Sequence, residues 1–234
     1  MEFAPEGPMA IPLWINGHAY LTMGESFFDV VNPSTGEALR RVPMCGSKEA
    51  AEALAAAREA QPGWAAMGMN ARRVCLNALA DALEKYSGHF AKLLVQDLGV
   101  DEAIASGEVD AAVAALRGVS VGHAGILAVV VDASQSLAGL ARAMAPALLA
   151  GAGVVLKPSL KAPSAAFALC ELSGRVEWPA GVLNLLHGDA PAISGLCSGG
   201  VDRLIYAGEP ALGAQVAVIA EAASVPFEQI GDAS

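Results

Sequence analysis

Basic residues are scarce in this 234-residue chain: 14 Lys and Arg stand against 24 Asp and Glu, a net charge of −10. Gripping a nucleic-acid backbone needs a concentrated basic surface, so nucleic acid is not expected as a partner. Cysteines are only four (Cys45, Cys75, Cys170 and Cys197), with no Cys-x-x-Cys pair and no close histidine. That scatter argues against a structural metal site or a disulfide framework and predicts buried free thiols. Histidines are also four, and none has a carboxylate and a nucleophile at recognisable spacing, which leaves a hydrolytic triad unsupported. Ser134, between Ala133 and Gln135, is not a nucleophile elbow. No apolar run is long enough to cross a bilayer without Gly, Ser or charge interrupting it. The opening residues lack the positive flank and apolar core of a signal peptide. A soluble, cytoplasmic protein without a membrane partner is the expectation.

Apolar residues are plentiful instead: 54% of the chain, with mean hydropathy +0.46, although aromatics contribute only 5%. Much of that apolarity is alanine at helical spacing, and the length suffices for a real core in one large domain or two small lobes.

Residues 11–45 read as strands and turns, with Asn16-Gly17 as a tight hairpin turn. Ser47 is the expected N-cap of a helix through about Ala60, with Glu49 in its first turn. From Asn70 to Ser87 the apolar positions Ala71, Val74, Cys75, Ala78, Leu79, Ala82, Leu83 and Tyr86 predict one buried helix stripe, stopped by Gly88. Arg72, Arg73, Asn77, Asp81, Glu84 and Lys85 fall on the other side. Helices at 89–98 and 101–117 follow. Beyond Gly125, apolar strands (125–131, 154–157, 182–186, 201–206 and 225–230) alternate with helices at 137–150, 163–174 and 210–223. Continuous apolar strands separated by helices predict a parallel sheet covered on both faces, an α/β, doubly wound sheet of Rossmann type. One domain is expected overall. Residues 1–120 supply an N-terminal strand hairpin and helices, and 121–234 the Rossmann-like half.

Few residues offer chemistry. Gly151-Ala152-Gly153 lacks the third glycine of a dinucleotide fingerprint and precedes a strand, so it reads as a helix C-cap. Lys157 ends a strand, where ligands of open α/β sheets bind and a lysine can reach a ribose or phosphate. Its plain alternative is a solvated surface charge. Gly208-Glu209-Pro210-Ala211-Leu212-Gly213 joins a strand to a helix whose N-terminus could face an anion. Glu209 and Pro210 favour structural capping there instead, a carboxylate serving the helix itself and a proline removing a donor.

Together these pieces resemble the aldehyde dehydrogenase superfamily, almost end to end. The resemblance rests on Ile15-Asn16-Gly17, Val31-Asn32-Pro33-Ser34-Thr35-Gly36-Glu37, Ala145–Gly151 and Val154-Val155-Leu156-Lys157-Pro158-Ser159. It continues in Pro179–Asn184, Val201–Tyr206 and Gly208–Gly213. It implies the family's NAD(P)-binding half, with Lys157, Gly208 and Gly213 at cofactor positions. It also implies departures at working positions. Asp132-Ala133-Ser134-Gln135-Ser136 replaces the family's Pro-Trp-Asn-Phe-Pro, whose asparagine helps hold an oxyanion. Leu160 replaces the carboxylate that grips the adenosine ribose, and Glu209-Pro210 replaces the Ser-Thr over the pyrophosphate. Gln229 stands where the family has its general-base glutamate, within Gln229-Ile230-Gly231-Asp232-Ala233-Ser234, and no residue matches the nucleophilic cysteine, whose segment would follow Ser234. The connection from Ala115 to Gly125 is too short for the hairpin flap that joins subunits.

An amide cannot take a proton as a carboxylate does, so no catalytic residue is assigned. Glu209 would meet a pyrophosphate of like charge, at a cost on the order of 4 kcal/mol per pair at about 4 Å and an effective dielectric near 20. No cofactor is therefore expected to bind tightly, with NAD(P) the one the resemblance leaves open. The expected function is a non-catalytic assembly domain, in a homo-oligomer or beside a catalytic aldehyde dehydrogenase subunit. The alternatives are an NAD(P)-dependent dehydrogenase, reduced or completed by a separate chain, and a dinucleotide-binding regulator.

Overall fold

The structure is a computed structural model that describes residues 8–22 and 26–231. Leu13–Ile15 (β1) and His18–Tyr20 (β2) form the expected hairpin. Asn16 and Gly17 turn it with φ of 53° and 76°, values that this dipeptide adopts readily. Phe27–Val31 (β3) and Ala38–Pro43 (β4) make a separate antiparallel pair.

Helix Ser47–Ala66 (α1) is N-capped at Gly46, not at Ser47, because the Glu49 carboxylate reaches back to the Gly46 N–H at 3.0 Å. It also runs past Ala60 and through Pro62. Its last turn is anchored by Trp64, which is fully buried, donates from Nε1 to the Leu148 carbonyl at 2.8 Å and packs on Trp178.

Met69–Lys85 (α2) takes a different phase from the expected stripe. Arg72, Leu76, Leu79, Ala80 and Leu83 are buried, whereas Val74 and Tyr86 are exposed and Cys75 is half-buried. The Arg72 guanidinium is responsible, since it donates inward to the carbonyls of Trp64, Ala65 and Leu149. Gly88 does not stop this helix. Tyr86 ends it, and Gly88 lies within the next one, Ser87–Leu98 (α3), which closes on left-handed Gly99. Glu102–Arg117 (α4) completes the helical layer.

The second half alternates strand and helix as expected, with one addition. Its order is Ile126–Val131 (β5), Ala138–Ala150 (α5), Gly153–Lys157 (β6), Ser164–Arg175 (α6) and Leu183–Leu185 (β7). Then come Ala190–Ser198 (α7), Arg203–Ala207 (β8), Pro210–Ala222 (α8) and Phe227–Ile230 (β9). Helix α7 is absent from the sequence reading. Gly151, at φ 94°, caps α5 as expected.

The seven-stranded sheet has order β2-β1-β7-β6-β5-β8-β9, with β1 antiparallel to β7 and the five strands from β7 to β9 parallel. Alternate residues of β5 face opposite cores. Leu127, Val129 and Val131 meet residues of α5 and α6. Ile126, Ala128 and Val130 meet α1, α7 and α8. The chain builds outward from β5 through β6 to β7, then crosses back to place β8 on the other side. The order therefore reverses between β5 and β8, and a crevice opens at their carboxyl ends.

Candidate functional site

That crevice is a cavity of about 550 Å³. Its polar lining comes from strand ends and helix starts: Asp132 and Ser134 after β5, Lys157 and Ser159 at the end of β6, Asp189 before α7, Tyr206 near the end of β8 and Glu209 after it. Ile193, Leu212, Val216 and Ile219 wall it from α7 and α8, and Phe28 and Leu160 close one side.

Lys157 is not a solvated surface charge. It is 6% exposed, and among the described residues its amine makes no hydrogen bond or ion pair. Burial pulls its pKa down to about 8, against the pull of the Asp189 and Asp132 carboxylates. A lysine kept this way at a cavity wall suits an acceptor ligand better than it suits the fold.

Asp132 organises the other end of the cleft. One carboxylate oxygen accepts the Ser134 N–H at 2.8 Å and the Ser134 hydroxyl at 2.7 Å. The other accepts the Glu209 N–H at 2.6 Å and the Tyr206 hydroxyl at 2.9 Å. Burial alone would raise its pKa, but these bonds outweigh burial and hold it below the ordinary carboxylate value. The same carboxylate contributes to raising the Tyr206 phenol, after burial.

Gly208 makes the approach possible. Its φ of +151° suits glycine, and an added Cβ would overlap the Asp132 carboxylate. Gly213 is held just as tightly, because a Cβ there would collide with the Gln229 amide oxygen and the Tyr206 ring. Both glycines are thus required by the protein's own packing. Glu209 is the N-cap residue of α8, but its side chain caps nothing. The cap expected from it is supplied to its own N–H by Asp132.

β9 pairs in register with β8, placing Gln229 opposite Tyr206 with its amide 3.4 Å from the Gly208 carbonyl. The neighbouring Glu228 reaches His123 at 3.2 Å and Arg203 at 3.6 Å. The tail of the Gln229 motif, Asp232 to Ser234, lies outside the described residues. His187 is buried, and its Nε2 lies 2.9 Å from the Pro12 carbonyl. Cys170 and Cys45 are buried, and desolvation raises both thiols, Cys45 to about 12. Among the described residues no group of His, Cys, Asp and Glu could hold a metal, and no helix is long and apolar enough to cross a membrane.

Of the cofactor positions that the resemblance implies, Lys157 lines the crevice, whereas Gly208 packs on Asp132 and Gly213 on Gln229 and Tyr206. Glu209, expected as a helix cap, also lines the crevice, and so does Asp189, which the sequence does not single out because α7 is hidden in it. The signal was present, since Asp189-Ala190-Pro191 pairs an N-cap residue with proline in the first turn. In the sequence Asp132 shows only as a departure from the family motif; its part as acceptor of four hydrogen bonds emerges from the fold.

A dinucleotide pyrophosphate fits this geometry poorly. Asp132 already takes the Glu209 N–H, Pro210 has no N–H, and the amides of Leu212 and Gly213 bond the Glu209 carbonyl, which leaves the turn the Ala211 N–H alone. Two carboxylates, Asp132 and Glu209, line the same end of the cavity.

Among solved structures, lactaldehyde dehydrogenase from Escherichia coli superimposes with TM-score 0.88 at 23% identity, covering 95% of this chain and 52% of that one. An NADP-dependent enzyme from E. coli gives TM-score 0.87 at 26% identity, over 96% and 52%. Glutarate-semialdehyde dehydrogenase from Pseudomonas putida is 29% identical over 228 residues, 87% of this chain and 48% of its own length. Human 2-aminomuconic semialdehyde dehydrogenase is 32% identical over 192 residues, 72% of this chain and 39% of its own length. The chain thus spans about half the length, or less, of the curated relatives it matches. The model of the aldehyde dehydrogenase family matches residues 20–125 and 124–229, two stretches that overlap at Ala124 and Gly125, after α4. On that match, and on a doubly wound fold shared with its structures, this chain belongs to the aldehyde dehydrogenase family.

Proposed function

We propose that this chain is a non-catalytic aldehyde-dehydrogenase-like domain that serves assembly. One observation carries the non-catalytic part. The Asp132 carboxylate sits on the Glu209 N–H at 2.6 Å, at the start of α8, where an anionic cofactor would need that donor. The residue on β9 whose side chain turns toward Gly208 is the amide Gln229, which has no basic lone pair for proton abstraction near neutral pH. An amide at that place and a filled anion seat work against hydride transfer together.

Helix α8 supports the assembly part. Its sequence, Pro210 to Ala222, carries a single charge at Glu221, yet only Gly213, Val216 and Ala220 are buried. Leu212 is 45% exposed and Val218 64%. A helix apolar on nearly every side and left uncovered is a partner surface. The partner is a second copy or a catalytic aldehyde dehydrogenase subunit.

The test is to follow NAD(P)H formation over a panel of aliphatic and aromatic aldehydes, alongside light scattering across a dilution series. The proposal expects no turnover and an associated species. Turnover abolished by a substitution in this chain, or a strict monomer that takes no partner, would remove it. The unpaired amine of Lys157 in an open cavity favours one second reading, a nucleotide-binding regulator, which would show as ligand binding without turnover.

A further inference from the structure

We propose that Asp132 is a tethered anion seated where a phosphate would sit at the start of α8, and that it makes this cleft refuse phosphorylated ligands. The inference deepens the reading of the cleft as one without hydride chemistry, but it concerns which ligands enter and not whether a reaction follows.

The donors around Asp132 are those an anion site is built from. Two backbone N–H groups (Ser134 and Glu209) and two hydroxyls (Ser134 and Tyr206) converge on one carboxylate at 2.6–2.9 Å. Three come from the two loops that flank the crevice, after β5 and after β8, and the Tyr206 hydroxyl comes from the end of β8 itself. The side chain therefore bridges the point where the sheet order reverses, as a bound anion would. The backbone is shaped for it too, since only a residue without Cβ at 208 admits the carboxylate.

With Asp132 in place the loop has little left to give. The Leu212 and Gly213 amides are bonded to the Glu209 carbonyl at 3.1 and 3.0 Å, and Pro210 contributes none. An incoming phosphate would find one N–H of this turn unspent, that of Ala211, and would meet two negative charges. Yet the same cavity contains a buried cation without a hydrogen-bonded partner among the described residues, Lys157. That side chain is what a phosphate-bearing ligand would use once the tethered charge is gone. Asp132 thus determines specificity, and Asp132→Gly, which empties the seat and removes its charge, should reverse the preference.

Calorimetry on the full chain, with inorganic pyrophosphate and with NAD⁺ as probes, tests this directly. Wild type should give no binding heat up to millimolar ligand. Asp132→Gly should bind both probes at least tenfold more tightly than wild type, and Glu209→Gln should gain less, because its side chain holds no donor. Micromolar binding to wild type would overturn the proposal, and so would a folded Asp132→Gly variant that gains nothing. Should that variant fail to fold, wild type alone decides through its melting temperature in phosphate and in chloride at equal ionic strength. Equal values are expected, and a phosphate-specific rise would refute the tethered-anion account. Failure here appears as binding heat or a melting shift, whereas failure of the non-catalytic reading appears as NAD(P)H formation.

Discussion

Replacing Lys157 by Met should make this protein more stable, an unusual outcome for a buried position. The side chain is 6% exposed, and its amine has no hydrogen bond or ion pair among the described residues. Its pKa is drawn from 10.5 down to about 8, so the folded state disfavours the charged form. That difference corresponds to roughly 3 kcal/mol held against folding while both states are protonated. The sign follows from proton counting. Below about pH 8 both states carry the charge and the penalty is complete. Between about 8 and 10.5 the unfolded chain keeps a proton that the native lysine has released, so wild-type stability rises with pH.

Around this amine stand Asp132, Asp189, Glu209, Tyr206 and Lys161 in the cavity, with His187 behind it. His187, drawn down to about 4, is neutral across this window, and the hydrogen bonds to Asp132 hold its carboxyl below the ordinary value. The lysine is therefore the group that titrates. Met at 157 removes the charge and keeps the volume. A gain of about 2–3 kcal/mol at pH 7, or roughly 5–10 °C in Tm, is expected, shrinking towards pH 10. Urea unfolding of both proteins at pH 7 and pH 9.5 measures it. Superimposable curves at pH 7, or a gain that does not change with pH, would refute the reasoning.

Other perturbations follow from the same contacts. Asp132→Ala strands the Glu209 and Ser134 N–H groups, leaves the Tyr206 hydroxyl only the Glu209 carbonyl, and should cost about 2–4 kcal/mol in urea unfolding at pH 7. Because the Asp132 pKa is depressed, its contribution is complete above the unfolded value and fades as pH falls through the folded one, so an acid titration should separate wild type from the variant least at the lowest pH. Arg72→Met leaves the carbonyls of Trp64, Ala65 and Leu149 without their donor and should cost about 2–4 kcal/mol, read from the same unfolding curves. Val218→Glu, on the uncovered side of α8, should leave the unfolding midpoint of the isolated chain nearly unchanged and reduce the mass seen by light scattering.

The sheet was legible because its strands are short apolar runs punctuated by glycine and proline, and because Asn16-Gly17 and Gly151 need the backbone they adopt. Helix α7 escaped because Ala190–Ser198 is nine residues long and carries Pro191 and Gly195, which read as loop. The phase of α2 was misjudged for a different reason. Hydropathy places Arg72 in water, but a guanidinium can go inside wherever helix ends leave carbonyls unpaired, as α1 and α5 do. Burial of Lys157 and the bonding of Asp132 depend on residues far away in sequence, Asp189 and Tyr206 among them, which no local pattern reports. Glu209 was placed correctly at the start of α8, but the charge that serves that helix comes from 77 residues upstream.

The central claim is that the anion seat of this cleft is already filled by the chain itself. A crystal structure of the full chain grown with millimolar NAD⁺ tests it most directly. The account predicts an Asp132 carboxylate still bonded to the Glu209 N–H and the Tyr206 hydroxyl, with no pyrophosphate beside α8. A dinucleotide seated on the Glu209 N–H, with Asp132 turned away, would contradict it.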